Sequence, residues 1–222
     1  MARTTTAPDA RARETSEAIL AAALRAFSQR GFDGASTRDI ATAAGVHHGL
    51  IRHHFGSKLK LWQAAADRAF ANMAEGLEAL LEDPAIDDDR ERIGRIVRAH
   101  VHFVAQNPEF VLLMFEEGKR RGPRMRWLVD RHVKPLYESL LPLITRARSR
   151  GGLLIDTSPV HVFYVMAGAA GAMFHQAEEC RRLTGVDPFD PEVVEEHARV
   201  VERLLVGPPD EGGTRRPGKD LR

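Results

Sequence analysis

The sequence predicts an all-α protein of about nine helices, in which a small three-helix bundle precedes a larger helical domain. Apolar residues recur every three or four positions over long segments, as on the buried face of a helix. Strong helix boundaries separate these segments: Ser158-Pro159 and Asp190-Pro191 each place a capping residue before a proline at the first helical position. With 222 residues, 43% of them hydrophobic and 28% charged, the chain has the size and composition of a soluble globular protein with a substantial core.

The N-terminal bundle is predicted over residues 10 to 56, after a Thr-, Ala- and Pro-rich segment, residues 1 to 9, that we expect to be a disordered arm. The first helix runs to about Arg30, and Gly31 ends it. Ser36 can cap the second helix, and Asp39 has the spacing to return the hydrogen bond of a capping box. Gly45 suits the corner that follows, because leaving a helix usually requires a positive φ.

The third helix is predicted to begin near Val46 and to bury Val46, Ile51 and Phe55. Its outer faces then carry hydrogen-bonding and cationic side chains, which suit the major groove of DNA. The whole chain has a net charge of only +1, but residues 1 to 60 contain nine Lys and Arg against five Asp and Glu. This local excess is a modest electrostatic footprint for a polyanion.

Residues 27 to 58 read FSQRGFDGASTRDIATAAGVHHGLIRHHFGSK, with a Gly-Phe pair, an Ala-Gly-Val corner and a His-Phe-x-Ser-Lys ending. Over roughly residues 12 to 60 the chain resembles the helix-turn-helix DNA-binding region of the TetR family of bacterial transcriptional regulators. Matched position by position, the resemblance implies DNA contacts from the second and third helices and the start of the fourth. These residues are Thr37, Arg38, His47, His48, Gly49, Leu50, Arg52, His54 and Lys58.

Three positions of this predicted DNA surface depart from the residues that are common in the family. Arg52 stands where a tyrosine is usual, and it keeps a donor for a phosphate while adding a charge. Leu50 replaces a frequent threonine, so it can contact a thymine methyl group but cannot donate a hydrogen bond. His48 replaces a commoner Lys or Gln. The base preference of a relative therefore does not transfer to this chain.

The four histidines of the third helix also raise the possibility of a metal site. His47 and His48 are separated from His53 and His54 by at least five positions, so the two pairs do not provide ligands one helical turn apart. No cysteine or carboxylate adjoins them. We therefore predict neither a metal site nor a cofactor.

Residues 57 to 206 are predicted to form a domain that binds an effector and dimerises, and residues 207 to 222 a disordered tail. Ser57 is the expected cap of the fourth helix, and five further helices follow. Pro135 and Pro142 lie inside the seventh, where they predict a kink or a break. The single cysteine, Cys180, excludes an intramolecular disulfide, and we expect a small buried side chain there rather than a redox-sensing thiol.

Bulky and flexible side chains in this larger domain suggest an apolar ligand cavity. Ordinary core packing remains the alternative for each of them, including for a histidine on an otherwise apolar face. The candidate lining residues are His100, Phe103, Met114, Phe115, Trp127, Tyr137, Phe163, Tyr164 and Met166.

The eighth helix contains AGAAGA at residues 167 to 172 and is apolar around most of its circumference. Each glycine inside a helix costs about 1 kcal/mol relative to alanine, and the close approach of another helix would offset that cost. We expect helices eight and nine to pair with their copies in a symmetric dimer, which the family resemblance also implies; dense packing within one subunit is the alternative. The predicted interface residues are Ala167, Gly168, Gly171, Phe174, Val193, His197, Val200, Val201 and Leu204.

The resemblance implies a homodimeric repressor that binds a near-palindromic operator in double-stranded DNA and is released by a small-molecule effector. A transcriptional activator or a helical carrier of the same fold remains open, as does a helical enzyme, although no phosphate-binding loop or nucleophile motif is present. No apolar run reaches the roughly 18 to 20 residues that span a bilayer, and the N-terminus has no apolar signal segment. These features predict a cytoplasmic protein that does not bind membranes.

Overall fold

The computed structural model describes residues 7 to 208, with side chains from residue 11 onward. This part of the chain consists of ten helices and no strand, which confirms the predicted all-α fold. The first six helices are α1 (Ala7–Gly34), α2 (Thr37–Ala43), α3 (His48–Phe55), α4 (Lys58–Glu82), α5 (Asp89–Gln106) and α6 (Pro108–Gly118). Helix α7 is built from Pro123–Leu128, a π turn at Val129–Val133 and Lys134–Ser149, and it is followed by α8 (Pro159–His175), α9 (Ala177–Thr184) and α10 (Pro191–Val206).

The structure has one helix more than predicted. The additional helix is the short α9, which follows α8 after a single residue, Gln176. Helix α9 is only eight residues long and contains no buried side chain. Cys180 on this helix is half-buried, with its Sγ 3.9 Å from the Thr184 hydroxyl.

Helix α1 begins at Ala7, so residues 7 to 9 belong to a helix and not to the predicted arm; residues 1 to 6 lie outside the described part. Gly31 has φ +67° and separates the last turn of α1 from the rest of the helix. Ser36 caps α2 as predicted, accepting hydrogen bonds from the backbone N–H groups of residues 38 and 39. Asp39 does not return this bond; its carboxylate accepts one from Arg30 at 3.1 Å, so only half of the capping box forms.

The corner between α2 and α3 has Gly45 at φ +67°, as its position predicted. Helix α3 begins at His48, two residues later than predicted, because the His47 side chain acts as the cap: its Nδ1 accepts a hydrogen bond from the backbone of Gly49 at 3.2 Å. Ile51 is buried in the small bundle, whereas Val46 and Phe55 are only half-buried.

Helix α1 packs against both α4 and α6, so the small bundle rests directly on the larger domain. Ser57 caps α4 as predicted, accepting a hydrogen bond from the backbone of Lys60. In the larger domain α5 is central and contacts α4, α7, α8 and α10. Its first residue, Asp89, is almost completely buried and accepts hydrogen bonds from Arg146 and Arg150 at the end of α7.

Of the kink or break predicted in the seventh helix, the break is wrong, because the chain stays helical from residue 123 to residue 149. The π turn at Val129–Val133 lies just before Pro135, and there the backbone N–H of Lys134 donates to the carbonyl of Val129, five residues earlier. This shift to a wider turn accommodates a residue that has no N–H to donate. The helix continues through Pro142.

The predicted C-terminal tail begins at Gly207, and all of it after Pro208 lies outside the described part. Between residues 7 and 208, none of the helices combines the length and the apolar character needed to cross a membrane.

Candidate nucleic-acid interface and cavity

Helix α3 and the start of α2 form an exposed polar surface, here called the reading surface. Ile51 points into the bundle, and the residues around it on α3 are exposed. Arg38 on α2 is exposed beside them, and Thr37 is half-buried. The exposed residues of α3 are His48, Gly49, Leu50, Arg52, His53 and His54, and the cap residue His47 is exposed as well.

Hydrogen bonds inside the reading surface set its geometry. The Thr37 hydroxyl lies 3.2 Å from Nε2 of His48, which links the first turn of α2 to the first turn of α3. His47 uses Nδ1 as an acceptor for the Gly49 backbone, so in its neutral form the proton is on Nε2. His47 therefore presents a donor to the outside, as a phosphate contact requires.

Lys58 lies at the first position of α4, next to the reading surface. Its ammonium group donates a hydrogen bond to the carbonyl of Asp33 at 3.3 Å and lies 4.9 Å from the centre of the Phe32 ring. Two of its three donors are not used in this bond. The side chain is thus held at the end of α1 with donors available for a phosphate.

The histidine pairs of α3 do not converge. His53 and His54 contact each other edge to face, with ring centroids 5.4 Å apart. Within residues 7 to 208 there is no group of three or more His, Cys, Asp or Glu side chains placed to hold a metal ion.

The larger domain contains a cavity of about 710 Å³ between α4, α5, α6, α7 and α8. Seven of the residues predicted to line it do so: His100, Phe103, Met114, Phe115, Phe163, Tyr164 and Met166. Helix α4 supplies a further apolar wall that was not predicted, formed by Phe70, Met73, Leu77 and Leu80. No sequence signal distinguishes these four from ordinary core residues.

Two predicted lining residues, Trp127 and Tyr137, do not face the cavity. The Trp127 ring packs against Trp62 of α4, with centroids 5.5 Å apart. Tyr137 meets the edge of Phe163 at 5.3 Å and so lies behind a residue that lines the cavity. Both predictions are wrong, because the side chains that α7 carries at these two positions pack against neighbouring helices.

Few polar side chains line the cavity. The exposed residues Asn72, Lys119 and Tyr164 lie at its edges, and the Lys119 ammonium contacts Glu116 at 2.6 Å. His100 is different, since it is half-buried and lines the cavity from the middle of α5. Burial lowers the pKa of His100 to about 4, so its imidazole is neutral at pH 7.

Helix α6 connects the cavity to the base of the small bundle. Its residues Phe115, Gly118 and Lys119 line the cavity. Between them Glu117 is only 4% exposed and accepts hydrogen bonds from Nε of Arg124 at 2.9 and 3.1 Å.

The Arg124 guanidinium in turn lies 4.3 Å from the centre of the Phe32 ring, at the end of α1. Arg120 adds an ion pair with Asp33 at 3.1 Å. The end of α6 is therefore clamped to the end of α1, which also holds Lys58.

A second connection joins the π turn of α7 to α4. Asp67 pairs with Arg131 at 2.6 Å and lies 2.9 Å from Nε2 of His132, although the latter contact is outside hydrogen-bond geometry. The His132 ring stacks on Phe70, a cavity residue, with centroids 4.3 Å apart. Burial lowers the pKa of His132 against the opposing effect of Asp67.

Comparison with known proteins identifies both parts of the chain. Residues 19–65 match the family described as bacterial regulatory proteins, tetR family. Residues 90–204, more than half of the chain, match the family described as tetracyclin repressor-like, C-terminal domain. The chain belongs to the TetR family.

Relatives with curated names include a transcriptional activator and a transcriptional repressor. FasR of Mycolicibacterium smegmatis, a transcriptional activator, is 29% identical over 58% of this chain and 58% of its own length. NicS of Pseudomonas putida, a transcriptional repressor, is 26% identical over 69% of this chain and 72% of its own length. The chain thus spans little more than half of FasR.

Solved structures of other proteins share the fold at low sequence identity. AibR, in complex with isovaleryl coenzyme A and operator DNA, has a TM-score of 0.70 at 20% identity, covering 87% of this chain and 99% of AibR. FadR from Bacillus subtilis, in complex with stearoyl-CoA, has a TM-score of 0.65 at 16% identity, covering 86% of this chain and 98% of FadR.

The interface predicted for this TetR-family chain needs correction at three positions. Gly171, Phe174 and Val201 are buried inside one protomer, and a side chain at Gly171 would meet Val111 of α6 at 3.3 Å. Gly171 therefore allows α8 to pack closely on α6. At this position the alternative prediction, dense packing within one subunit, agrees with the structure. Ala167, Val193 and His197 are half-buried, and Nε2 of His197 lies 2.9 Å from the carbonyl of residue 169.

Other residues of α8 and α10, with Ile155 from the loop that precedes α8, form an exposed apolar surface, here called the α8–α10 face. It combines the predicted residues Gly168, Val200 and Leu204 with Ile155, Tyr164 and Val165, which were not predicted to belong to an interface. Ile155, Val165 and Leu204 line one small cleft, so the face is continuous between the two helices.

Proposed function

We propose that this chain is a homodimeric transcriptional repressor that binds a near-palindromic operator and leaves it when a small molecule enters the cavity. The observation that carries the proposal is a connection from the cavity to the small bundle: α6 lines the cavity, and its Glu117 pairs with Arg124, which lies over Phe32 at the end of α1. A ligand that binds best to a shifted position of α6 therefore changes the placement of the reading surface.

The reading surface supplies DNA contacts of two kinds. Arg38 and the exposed α3 residues His48, Gly49 and Leu50 face base edges in the major groove, while Arg52, His47 and Lys58 contact phosphates. Thr37 orients His48, and His54 lies at the end of the same helix near the backbone. In a dimer, two such surfaces enter successive major grooves about 34 Å apart.

The α8–α10 face is the surface on which two protomers pair. Its exposed leucine, valine and tyrosine side chains lie on two adjacent helices, the arrangement from which a symmetric four-helix interface is built. Tyr164 and Gly168 belong both to this face and to the cavity lining, so pairing also covers one side of the cavity.

The repressor NicS, whose match covers 69% of this chain against 58% for the activator FasR, supports repression over activation. We assign the protein to the cytoplasm with the chromosome and give it no catalytic role, since its relatives are named as regulators.

The effector has an apolar body of acyl type. A cavity of about 710 Å³ with apolar walls has the size of known small-molecule sites. The acyl-CoA complexes of AibR and FadR, which share the fold, support this assignment.

Selection from a random pool of double-stranded DNA tests the proposed function. The full-length protein is expected to enrich a near-palindromic sequence whose half-sites lie about one helical turn apart, and the affinity should fall when the effector is added. Enrichment of a single half-site, or of nothing, would overturn the proposal. A reporter that is expressed only in the presence of the protein would show an activator instead.

Replacing Arg38 with alanine is expected to weaken specific operator binding by about 1 to 3 kcal/mol, because a bidentate contact with a base is lost. Fluorescence anisotropy with the selected operator measures the change. Arg95→Ala, which removes an exposed charge from α5 beside Glu91, is the matched control and should leave the affinity unchanged. An Arg38 variant that binds like wild type would exclude a base-reading role.

Replacing Lys58 with alanine is expected to weaken binding to operator and to random DNA by the same factor and to reduce the slope of log affinity against log salt by about 1, since one phosphate contact is lost. Salt titrations on both DNAs measure this. A loss confined to the operator would contradict a phosphate contact.

A further inference from the structure

We propose that the effector carries a neutral hydrogen-bonding oxygen, a carbonyl or a hydroxyl, within its apolar body, and that His100 contacts this oxygen. The inference rests on the proposed function only in taking the cavity to be the effector site. It specifies which polar group the effector must place inside that cavity.

The position of His100 is the first support. Its ring lines the cavity from α5, on the same helix face as the apolar residues Ile96, Phe103 and Val104. Among the described residues it has no hydrogen-bond or ion-pair partner. The apolar walls around it offer its ring nitrogens no partner, so a ligand that supplies one gains affinity from the bond.

The charges around the cavity are the second support. No carboxylate lines it, and its charged lining group among the described residues is the Lys119 ammonium, which is 64% exposed at the edge and engaged with Glu116. The remaining polar lining groups are the Asn72 amide and the Tyr164 hydroxyl, both on exposed residues. Nothing inside the cavity therefore stabilises an imidazolium, in agreement with the lowered pKa of His100.

A neutral imidazole has one donor and one acceptor nitrogen, and so it matches a carbonyl or a hydroxyl group. A carboxylate at the same position would be buried without a countercharge unless His100 took up a proton. The cavity thus favours a ketone, ester, thioester or alcohol oxygen beside His100 and places any anionic part of the ligand at the edge, near Lys119.

Three probes of closely similar shape test this inference with the purified full-length protein and no DNA. They are 2-acetylnaphthalene, which has a carbonyl, 2-ethylnaphthalene, which has no oxygen, and 2-naphthaleneacetate, which has a carboxylate. Calorimetric titration at pH 7, in two buffers of different ionisation enthalpy, measures affinity and proton uptake. The variants are His100→Leu, His100→Gln and the matched control His102→Leu, whose ring lies two residues away beside Glu195 and outside the cavity.

The ketone is expected to bind about 5- to 10-fold more weakly to His100→Leu than to wild type, since one hydrogen bond inside the apolar cavity is lost. His100→Gln restores most of the affinity, and His102→Leu does not change it. The hydrocarbon binds wild type and His100→Leu equally, and binding of the carboxylate takes up a proton.

Equal losses of ketone and hydrocarbon affinity in His100→Leu would overturn the inference, since they would show a role in packing alone. Carboxylate binding that is tighter than ketone binding and takes up no proton would also overturn it. If none of the three probes binds, the cavity is not a site for such ligands and the inference fails. Operator binding would be unaffected in that case, so this outcome is distinguishable from failure of the proposed function.

Discussion

Replacing Leu204 with glutamate is expected to dissociate the dimer and to weaken operator binding by roughly 10²- to 10⁴-fold, the factor that linking two half-site contacts contributes. Leu204 is 52% exposed in the protomer, and it lies against Val165 and Ile155 in the cleft of the α8–α10 face. In a two-fold interface the substitution occurs twice, and each carboxylate would be buried without a partner. Analytical ultracentrifugation and anisotropy with the selected operator measure the two effects.

The control for this experiment is Leu183→Glu, which adds the same charge at a more exposed leucine on α9. This variant should remain dimeric and bind the operator as wild type does. A Leu204→Glu protein that is still dimeric at micromolar concentration would show that protomers pair through a different surface, and the assignment of the α8–α10 face would then fail.

Replacing Glu117 with alanine is expected to lower the free energy of unfolding by about 3 to 5 kcal/mol, because it leaves a buried charge without its partner. Glu117 is 4% exposed and the Arg124 side chain 19%, and Arg124 packs over Phe32 of α1. The same change should loosen the contact between the two domains and reduce the effect of an effector on DNA binding. Urea unfolding and effector titrations of the DNA complex measure both.

Glu116→Ala is the matched control, since the neighbouring carboxylate pairs with the exposed Lys119. Loss of such a surface pair should change stability by about 0 to 1 kcal/mol. Replacing both Glu117 and Arg124 with leucine should recover most of the stability but not the effector response, because the domains then lose the cation over Phe32. Equal small losses in the Glu116 and Glu117 single variants would contradict the assigned role of the buried pair.

The local structure of the small bundle could be predicted from its own residues. Ser36 as a cap, Gly45 at the corner and Ile51 on the inner face all depend on neighbours within a few positions, and such interactions are visible in the sequence. The start of α3 was misplaced for a local reason as well: His47 acts as the cap, a role in which histidine is uncommon.

The lining of the cavity could not be predicted in full from the sequence. Phe103 and Met114 line it and Trp127 does not, although all three are large apolar residues on helices. Core and cavity use the same residue types at the same spacing, and the difference lies in whether a facing helix fills the space. Only the arrangement of α4 to α8 decides this.

The sequence by itself determined the all-α fold, the order of the main helices, the family, and the polar outer face of α3, because each follows from local pattern or from a matched motif. The tertiary structure decided which apolar residues of α8 are core and which are surface. This helix is apolar on nearly every side, so its periodicity cannot separate Phe174, which is buried, from Val165, which is exposed. The tertiary structure also created the path from His100 and the cavity through Glu117 and Arg124 to Phe32, since those contacts join segments that are far apart in the chain.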